Sequence, residues 1–502
     1  MITIKLRHLL LLTTIAISLV SCFQDDTTLG TRVLSEILID SASIGEVHNI
    51  NQNDTLKITP IVSQKNQEKE LSYTWEINLN IYSHEREFVY IGKELGTFRC
   101  RLIVENEDGK AFYPFILHVN TAYEEGLTII SKNAEGKALL SFMLTPADGS
   151  EPKAFMHGDQ FSINNEEPFE DNPVDMVQSS GQLIIACQGS DDGTSPATIY
   201  CLNEKTFVLE NMVTEPEFTD FKPTFLGIPA ITSAGRSYPI ICEGGHTYEF
   251  STTEGALSRP IKLPYTYAQT AIIYTKNGGY YDFLCWDKEL NALCLVYNGY
   301  SPYYSGREYH TNRDSIIAKP TKNIFNGLSI CKMVLVEQTT DVITTPKALV
   351  ITKNQANMFQ KTLISVDFWE TVDGENQLVD GGGYKVCGFG QLSLTESTPC
   401  VAIHSSNTML FADGNKIRRW NYSSNDQITA AKILQTIGNE SAIITAMTLS
   451  ADHTKAYIAF YDPSAQSELN GSVWVIDTDN GDILNQYDNV CYQPVKIIYK
   501  KK

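Results

Sequence analysis

The sequence lacks the patterns of several large protein classes. No run of ten or more residues carries a helical hydrophobic period, which argues against helical bundles and α/β folds. No CxxC pair occurs among the 11 cysteines, so the spacing of a zinc site is missing. The motifs HExxH, GxSxG and GxxxxGK[ST] are absent, and no two histidines stand at ligand spacing. We therefore expect no enzymatic activity, no metal and no cofactor.

Positive charge is also scarce. The chain has 39 Lys and Arg against 59 Asp and Glu. Two of the basic residues, Lys5 and Arg7, belong to the leader described below, which leaves 37 basic and 59 acidic residues and a formal charge of −22. A protein this acidic is repelled by phosphate backbones and by anionic membrane surfaces. Nucleic acid is therefore excluded as a partner.

Strand-forming residues are abundant, with 25 Tyr and 21 Phe beside many Thr, Ile and Val. These residues form a repeated hairpin pattern, which is clearest in the last repeat. The apolar runs Ala456–Tyr461 and Val473–Asp477 are followed by Asn480-Gly481, a hairpin signal. Seven such hairpin-like units occupy 127–144, 183–202, 239–250, 281–297, 348–366, 408–422 and 456–477.

The unit starts are roughly 45 to 65 residues apart, the range of four-stranded propeller blades. The sequence therefore predicts an all-β chain in which residues 126–502 form a β-propeller-like repeat domain with seven blades; six or eight remain open. The alternative fold is a long array of β-sandwiches. The C-terminal strand Val495–Tyr499 is expected to pair near residue 127 and to close the ring.

The first residues have the organisation of an export signal. Lys5, Arg7 and His8 precede the apolar stretch 9–20, which is too short to span a membrane. Leu19-Val20-Ser21-Cys22 then resembles the bacterial lipobox. The resemblance implies a signal peptide at 1–21, a diacylglyceryl group on Cys22 and a polar tether at 22–32. An ordinary signal peptide with a chance cysteine is the alternative.

Asp25-Asp26 follows the lipidated cysteine directly. This resembles the surface-export signal of Bacteroidetes lipoproteins, which implies an outer-membrane protein facing the cell exterior. A merely polar tether is the alternative interpretation.

Residues 33–122 contain short strands with period-two alternation, as in a small β-sandwich. Leu71-Ser-Tyr-Thr-Trp75, Leu95–Val104 and Glu107-Asp-Gly109 together resemble a PKD domain. Ile77–Asn80 departs from the family's loop sequence, so this is a divergent member whose loop functions do not transfer. We interpret Trp75 as core packing.

The order of parts, with Glu125–Ser131 directly after the sandwich, resembles the PKD-like lipoprotein family of Bacteroidetes over nearly the full length. The resemblance implies a non-enzymatic accessory role beside a TonB-dependent importer and its substrate-binding lipoprotein, in the uptake of a glycan or peptide. The alternative is a propeller enzyme, a hydrolase or lyase, acting on extracellular glycan or peptide.

One loop has the composition of a binding surface, since tyrosine and arginine are common in paratopes. Its candidate ligand-binding residues are Tyr300, Tyr303, Tyr304, Arg307, Tyr309 and His310. Packing of the rings on the propeller wall is the alternative.

Two acidic loops, Gly189–Thr194 and Asp373–Asn376, do not match the EF-hand spacing, and we interpret them as solvated turns. The cysteines beyond Cys22 lie mostly in apolar runs and are expected to be buried free thiols. Disulfides remain open in an exported chain.

Overall fold

The computed structural model describes residues 33–501 except 146–153, 180, 215–220, 228–229, 233–234, 244–245, 253, 258–260, 263–266, 277–279, 288–291, 299–316, 321–326, 338–346, 366–368, 373–374 and 379–384. Within these ranges, helix is limited to α1 (Ser41–Ile44), the two 3₁₀ helices His404–Ser406 and Ile428–Ala430, and a 3₁₀ residue at Glu243. The all-β prediction is confirmed. The chain divides into two compact units, with the boundary between Thr121 and Ala122.

The first unit contains nine described strands: β1 (Glu36–Ile39), β2 (Val47–Asn51), β3 (Thr55–Ile58), β4 (Val62–Lys65), β5 (Ser72–Ile77), β6 (Asn80–Ser83), β7 (Phe88–Ile91), β8 (Gly96–Asn106) and β9 (Gly109–Asn120). They form a five-stranded sheet of order β2-β9-β8-β5-β6 and the two-stranded sheets β1-β4 and β3-β7. The β2–β9 pair is parallel.

The core of this unit is built around Trp75, which is fully buried. Its ring centroid lies 5.0 Å from that of Phe88 and 6.1 Å from that of Phe115. The indole N–H donates to the carbonyl oxygen of Glu85 at 2.9 Å, so the polar end of the ring is also satisfied. The interpretation of Trp75 as core packing is confirmed.

The second unit begins with β10 (Gly126–Lys132), β11 (Ala138–Leu144), β12 (Pro173–Ser179), β13 (Gln182–Cys187), β14 (Thr198–Asn203), β15 (Leu209–Thr214), β16 (Pro223–Leu226), β17 (Ala230–Thr232), β18 (Gly235–Cys242), β19 (His246–Ser251), β20 (Ala256–Leu257), β21 (Ile261–Lys262), β22 (Tyr267–Lys276), β23 (Tyr280–Asp287), β24 (Ala292–Asn298) and β25 (Ile317–Pro320).

It continues with β26 (Ser329–Glu337), β27 (Lys347–Lys353), β28 (Met358–Ser365), β29 (Trp369–Val372), β30 (Glu375–Leu378), β31 (Lys385–Phe389), β32 (Cys400–Ile403), β33 (Thr408–Asp413), β34 (Lys416–Asn421), β35 (Lys432–Thr436), β36 (Ile443–Leu449), β37 (Lys455–Tyr461), β38 (Gly471–Asp477), β39 (Ile483–Cys491) and β40 (Gln493–Lys500).

The described strands of this unit form seven sheets, which we number I to VII in chain order. Sheet I contains β40, β10 and β11; II contains β12–β15; III contains β16–β21; IV contains β22–β25 with β30 and β29; V contains β26–β28 and β31; VI contains β32–β35; VII contains β36–β39. Neighbouring strands within a sheet are antiparallel except for the β25–β30 pair.

Each sheet has one inner strand: β40, β12, β16, β22, β26, β32 and β36 for sheets I to VII. Every inner strand contacts the inner strand of the next sheet, and β36 of sheet VII contacts β40 of sheet I. The sheets therefore follow one another around a closed ring. This arrangement is a β-propeller.

Among the described residues, apolar clusters fill the spaces between sheets I and II, II and III, V and VI, VI and VII, and VII and I. In β10, Ile129 packs towards sheet VII and Ile130 packs towards sheet II, and both side chains are fully buried. A strand covered on both faces needs a continuous apolar run, and Leu127–Ile130 supplies one apart from Thr128. Burial of each such side chain contributes about 1.5–3 kcal/mol.

The last strand closes the ring. β40 pairs with β10 in antiparallel register, with Lys500 opposite Gly126 and Tyr499 opposite Leu127. The N-terminal and C-terminal ends of the repeat region therefore share sheet I. The pairing that the sequence predicted for residues near 127 is confirmed.

Candidate functional site

Six of the seven inner strands have a register shift close to their first residue, and in five of them it is a one-residue β-bulge. The residues that fall out of register are Val174, Thr224, Cys331, Thr445 and Val495, each second or third in its strand. The bulges therefore lie at one end of the ring centre. A bulge bends its strand and re-aims the side chain that follows it. The residues that follow are Asp175, Phe225, Lys332, Ala446 and Lys496.

Three of these five residues are ionisable; we call Asp175, Lys332 and Lys496 the collar. Asp175 is 4% exposed. Its carboxylate lies 2.8 Å from the Nζ atom of Lys496 in sheet I and accepts a 3.0 Å hydrogen bond from the backbone N–H of Leu226 in sheet III. One buried carboxylate of sheet II thus joins the inner strands of three successive sheets.

Lys332 of sheet V contacts the segment that connects sheets V and VI. It is 7% exposed, and its ammonium group donates to the carbonyl oxygen of Glu396, just before β32. A positive charge in such a place is stable only if hydrogen bonds replace its water. Lys332 therefore holds the inner strand of sheet V to the segment that leads to sheet VI.

Two further lysines are buried outside the collar. Lys361 of β28 donates to the carbonyl oxygens of Tyr422 (2.6 Å) and Ser424, and its Nζ lies 5.2 Å from the centroid of the Trp420 ring. Burial lowers the pKa of Lys361. Lys500 donates to the carbonyl oxygen of Glu124, and burial lowers its pKa to about 8.

A buried lysine with a lowered pKa is a candidate nucleophile or base. Here each described ammonium group is held by a carbonyl of a neighbouring element. We therefore interpret these ammonium groups as links between neighbouring elements of the ring and not as groups that transfer protons.

Four buried thiols are poor nucleophiles. Burial raises the pKa of Cys242 and of Cys387 to about 12, and it raises the pKa of Cys187 and Cys491 further in the same direction. A protonated thiol neither attacks a carbonyl nor binds a metal. Within the ranges that the structure covers, no three His, Cys, Asp or Glu side chains are grouped to hold a metal ion.

The acidic loop Gly189–Thr194 forms a closed turn. Asp192 accepts hydrogen bonds from the hydroxyl of Ser190 at 2.5 Å and the backbone N–H of Thr194 at 3.0 Å, which lower its pKa to about 2. Ser450, Asp452 and Thr454 repeat the pattern. The interpretation of 189–194 as a solvated turn agrees with this geometry. Residues 373–374 of the second acidic loop lie outside the described residues.

The sequence-predicted site residues also lie outside the described residues: Cys22, Tyr300, Tyr303, Tyr304, Arg307, Tyr309 and His310. The lipidation site and the tyrosine-rich loop therefore remain predictions. Sequence reasoning in turn missed the collar. A single Asp within Pro173–Val177 and a single Lys within Val495–Ile498 were the available signals, because each interrupts an otherwise apolar stretch.

No described helix is long and apolar enough to cross a membrane.

Comparison with known proteins identifies no family. No family model matches the chain, and no curated protein matches it. Among solved structures, the chain resembles a quinoprotein alcohol dehydrogenase-like protein from Bacteroides thetaiotaomicron at 15% identity, over 93% of this chain and 99% of that one, with a TM-score of 0.48.

Two other solved structures resemble part of the chain. A candidate 6-phosphogluconolactonase from Bacteroides fragilis matches at 9% identity, over 76% of this chain and 99% of that one, with a TM-score of 0.45. The β-propeller domain of Cps50 (Swd1) from Myceliophteria thermophila matches at 10% identity, over 64% and 90%, with a TM-score of 0.38. At such values these similarities carry nothing about the chemistry of this chain.

Proposed function

We propose that the protein is a non-enzymatic binding component of a nutrient importer, held at the outer membrane by lipid on Cys22 and facing the cell exterior. The observation that carries the non-enzymatic part is the state of the buried charges. Asp175, Lys332, Lys361 and Lys500 each hold neighbouring elements together. Of the residues that the structure describes, these four could serve acid–base chemistry, and each is instead bound to a neighbouring element.

The proposed architecture is a divergent PKD-like sandwich at 33–122 followed by a seven-bladed propeller at 126–502. Trp75 within the five-stranded sheet and the seven sheets of the described residues support it. A crystal structure of the chain 23–502 tests both assignments. Six or eight blades, or a different strand order around Trp75, would overturn them.

The proposed anchor and address rest on Leu19–Cys22 and on Asp25-Asp26. In cells, Cys22→Ala should move the protein from the detergent phase to the aqueous phase, because two or more acyl chains make a stable anchor. External protease should remove the wild-type protein from intact cells while an inner-face control survives. A Cys22→Ala protein that stays in the detergent phase would refute the lipid anchor. Full protection of the wild-type protein from external protease would refute its exposure at the cell surface.

The proposed partners are a TonB-dependent importer and its substrate-binding lipoprotein. Cross-linking in intact cells, followed by purification through a tag, should recover both. Matched cells that carry Cys22→Ala should not, because the unanchored chain is no longer concentrated at the membrane. Equal recovery from both strains, or recovery of neither protein from wild type, would contradict the partnership.

The proposed ligand is a glycan or peptide that contacts the tyrosine-rich loop Tyr300–His310. Tyrosine offers a flat apolar face with a polar tip, and Arg307 offers a bidentate donor. The double variant Tyr303→Ala, Arg307→Ala should weaken binding by about tenfold or more while leaving the unfolding midpoint unchanged. Ser301→Ala, in the same loop, is the matched control. Unchanged affinity in the double variant would exclude the loop.

A further inference from the structure

The hairpin formed by β23 and β24 places two cysteines opposite each other. The register runs without a break from Tyr281 opposite Asn298 to Asp287 opposite Ala292, and it pairs Cys285 directly with Cys294. In an antiparallel pair, directly opposite Cα atoms are about 4.5 or 5.5 Å apart, depending on the hydrogen-bonding site. A disulfide requires about 4.4 to 6.8 Å. The Cα–Cα separation therefore falls in the range of a disulfide in both cases.

The eight other described cysteines provide a contrast. They are Cys100, Cys187, Cys201, Cys242, Cys331, Cys387, Cys400 and Cys491, and none of them forms a disulfide. Each lies opposite a residue other than cysteine wherever its strand is paired; Cys187, for example, is opposite Thr198, and Cys400 is opposite Phe411. Among the paired strands that the structure describes, the cross-strand cysteine pair is confined to β23 and β24.

We propose that Cys285 and Cys294 are an oxidisable pair and form a cross-strand disulfide once the chain reaches an oxidising compartment. The disulfide rests on the proposed function only through the export that it requires. Two thiols lose two protons and two electrons as the S–S bond forms. The electrons pass by thiol–disulfide exchange to the disulfide of an oxidoreductase, which is reduced to a dithiol. The bond fastens the second strand of sheet IV to its third.

The sequence makes the pair easy to detect. Trypsin cleaves after Lys276, Lys288 and Arg307, so Cys285 is released in peptide 277–288 and Cys294 in peptide 289–307. Without reduction, the two peptides remain covalently linked only if the disulfide is present. Peptide 323–332, which holds the free Cys331, serves as the matched control because it ends at Lys332 and contains no other cysteine.

The deciding experiment uses the chain 23–502, prepared reduced and then equilibrated with glutathione disulfide. Free thiols are alkylated, the protein is digested without reduction, and the peptides are measured by mass spectrometry. We expect 277–288 linked to 289–307, loss of this species on reduction, and 323–332 recovered singly alkylated. Separate alkylated 277–288 and 289–307, or either peptide linked to a different one, would overturn the pair.

A second arm separates this result from the question of export. Protein isolated from its native envelope under acid, with its thiols trapped at lysis, should contain the same linked peptides. If the peptides are linked in the glutathione experiment but are separate and alkylated in protein from the envelope, Cys285 and Cys294 can form the disulfide. Export to an oxidising compartment is then refuted. Cys285→Ser should abolish the linked species and leave 289–307 singly alkylated; a new link from Cys294 to another cysteine would contradict the specific pairing.

Discussion

Asp175 shows how single residues stabilise this ring. Its carboxylate is buried, accepts from the backbone of the next sheet and faces the ammonium group of the preceding one. Asp175→Ala leaves the Leu226 N–H without its acceptor and Lys496 without its partner. We expect a loss of about 3 kcal/mol in the free energy of unfolding.

Urea unfolding of the chain 23–502 measures this loss. The matched control is Asp191→Ala, which removes an ion pair with Lys222 in which the Asp191 side chain is fully exposed. We expect no measurable change there, because water screens an exposed pair. Equal effects of the two substitutions would contradict the role assigned to Asp175.

Leu79, in contrast, destabilises the fold locally, because its backbone conformation is unfavourable for a residue with a Cβ atom. It follows Asn78 in the tight turn between β5 and β6, with φ of +68°, and its side chain is 81% exposed. Glycine adopts such a φ without a Cβ clash. Leu79→Gly should therefore stabilise the first unit by about 0.5–1 kcal/mol, while Leu79→Ala keeps the strain. Thermal unfolding compares the two, and a Gly variant no more stable than the Ala variant would contradict the argument.

The buried thiols give the ring a pH dependence with a definite sign. Cysteine in the unfolded chain ionises near its ordinary pKa of 9.0, whereas burial keeps Cys187 and Cys491 protonated well above that pH. Above pH 9 the unfolded state therefore binds fewer protons than the folded state, and stability falls as pH rises. Lys500, with its pKa lowered to about 8, acts in the opposite direction between its folded and unfolded pKa values.

Because many thiols oppose only two lysines with lowered pKa values, Lys361 and Lys500, we expect the free energy of unfolding to fall between pH 8.5 and 10.5. The double variant Cys187→Ala, Cys491→Ala should show a shallower slope, even though its stability at pH 7.5 is lower. Urea titrations at four pH values supply the slopes. A wild-type stability that rises over this range, or identical slopes, would contradict the assignment.

At the scale of elements, the sequence predicted the second and third strands of each sheet but not its inner and outer strands. The seven hairpins read from the sequence correspond to second and third strands, such as β33 with β34 and β37 with β38. These strands are covered on both faces, so they are continuous apolar runs. The inner strand β36 and the outer strand β39 border the ring centre and the solvent, and their mixed sequences carry no clear period.

The collar could not be predicted from the sequence for a related reason. A one-residue bulge shifts the alternation of side chains, so the side on which Asp175 or Lys496 lies cannot be read from its position in a run. Partnerships such as Lys496 with Asp175 also join residues more than 300 positions apart. Periodicity reports only local order and therefore predicts no such pair.

The C-terminal strand is the element on which closure depends. β40 supplies the inner strand of sheet I, and Lys496 reaches sheet II from it. Deletion of residues 490–502 should expose the edge of β10 and open the ring, which produces aggregation instead of a local defect. Solubility and the thermal midpoint of the truncated chain test this. A soluble truncation with an unchanged midpoint would contradict closure through β40.

At the scale of the molecule, a strongly acidic propeller presents its polar loops on a closed ring in which described buried charges, such as Asp175 and Lys332, are held by hydrogen bonds. Loops on a fixed scaffold are where binding residues are usually found. The sequence predicted the all-β propeller and the closing strand, both of which the structure contains. It could not identify the ligand, since that depends on which side chains converge in space, as the collar illustrates.

Binding without turnover is the central claim, and one measurement tests it most directly. The chain 23–502 is incubated with a defined mixture of oligosaccharides and peptides, and the bound and free fractions are followed by mass spectrometry over hours. We predict that a subset is retained with unchanged mass and is released when the protein is heat-denatured. New product masses that accumulate with time in the presence of the folded protein, or the absence of any retained component, would contradict the account.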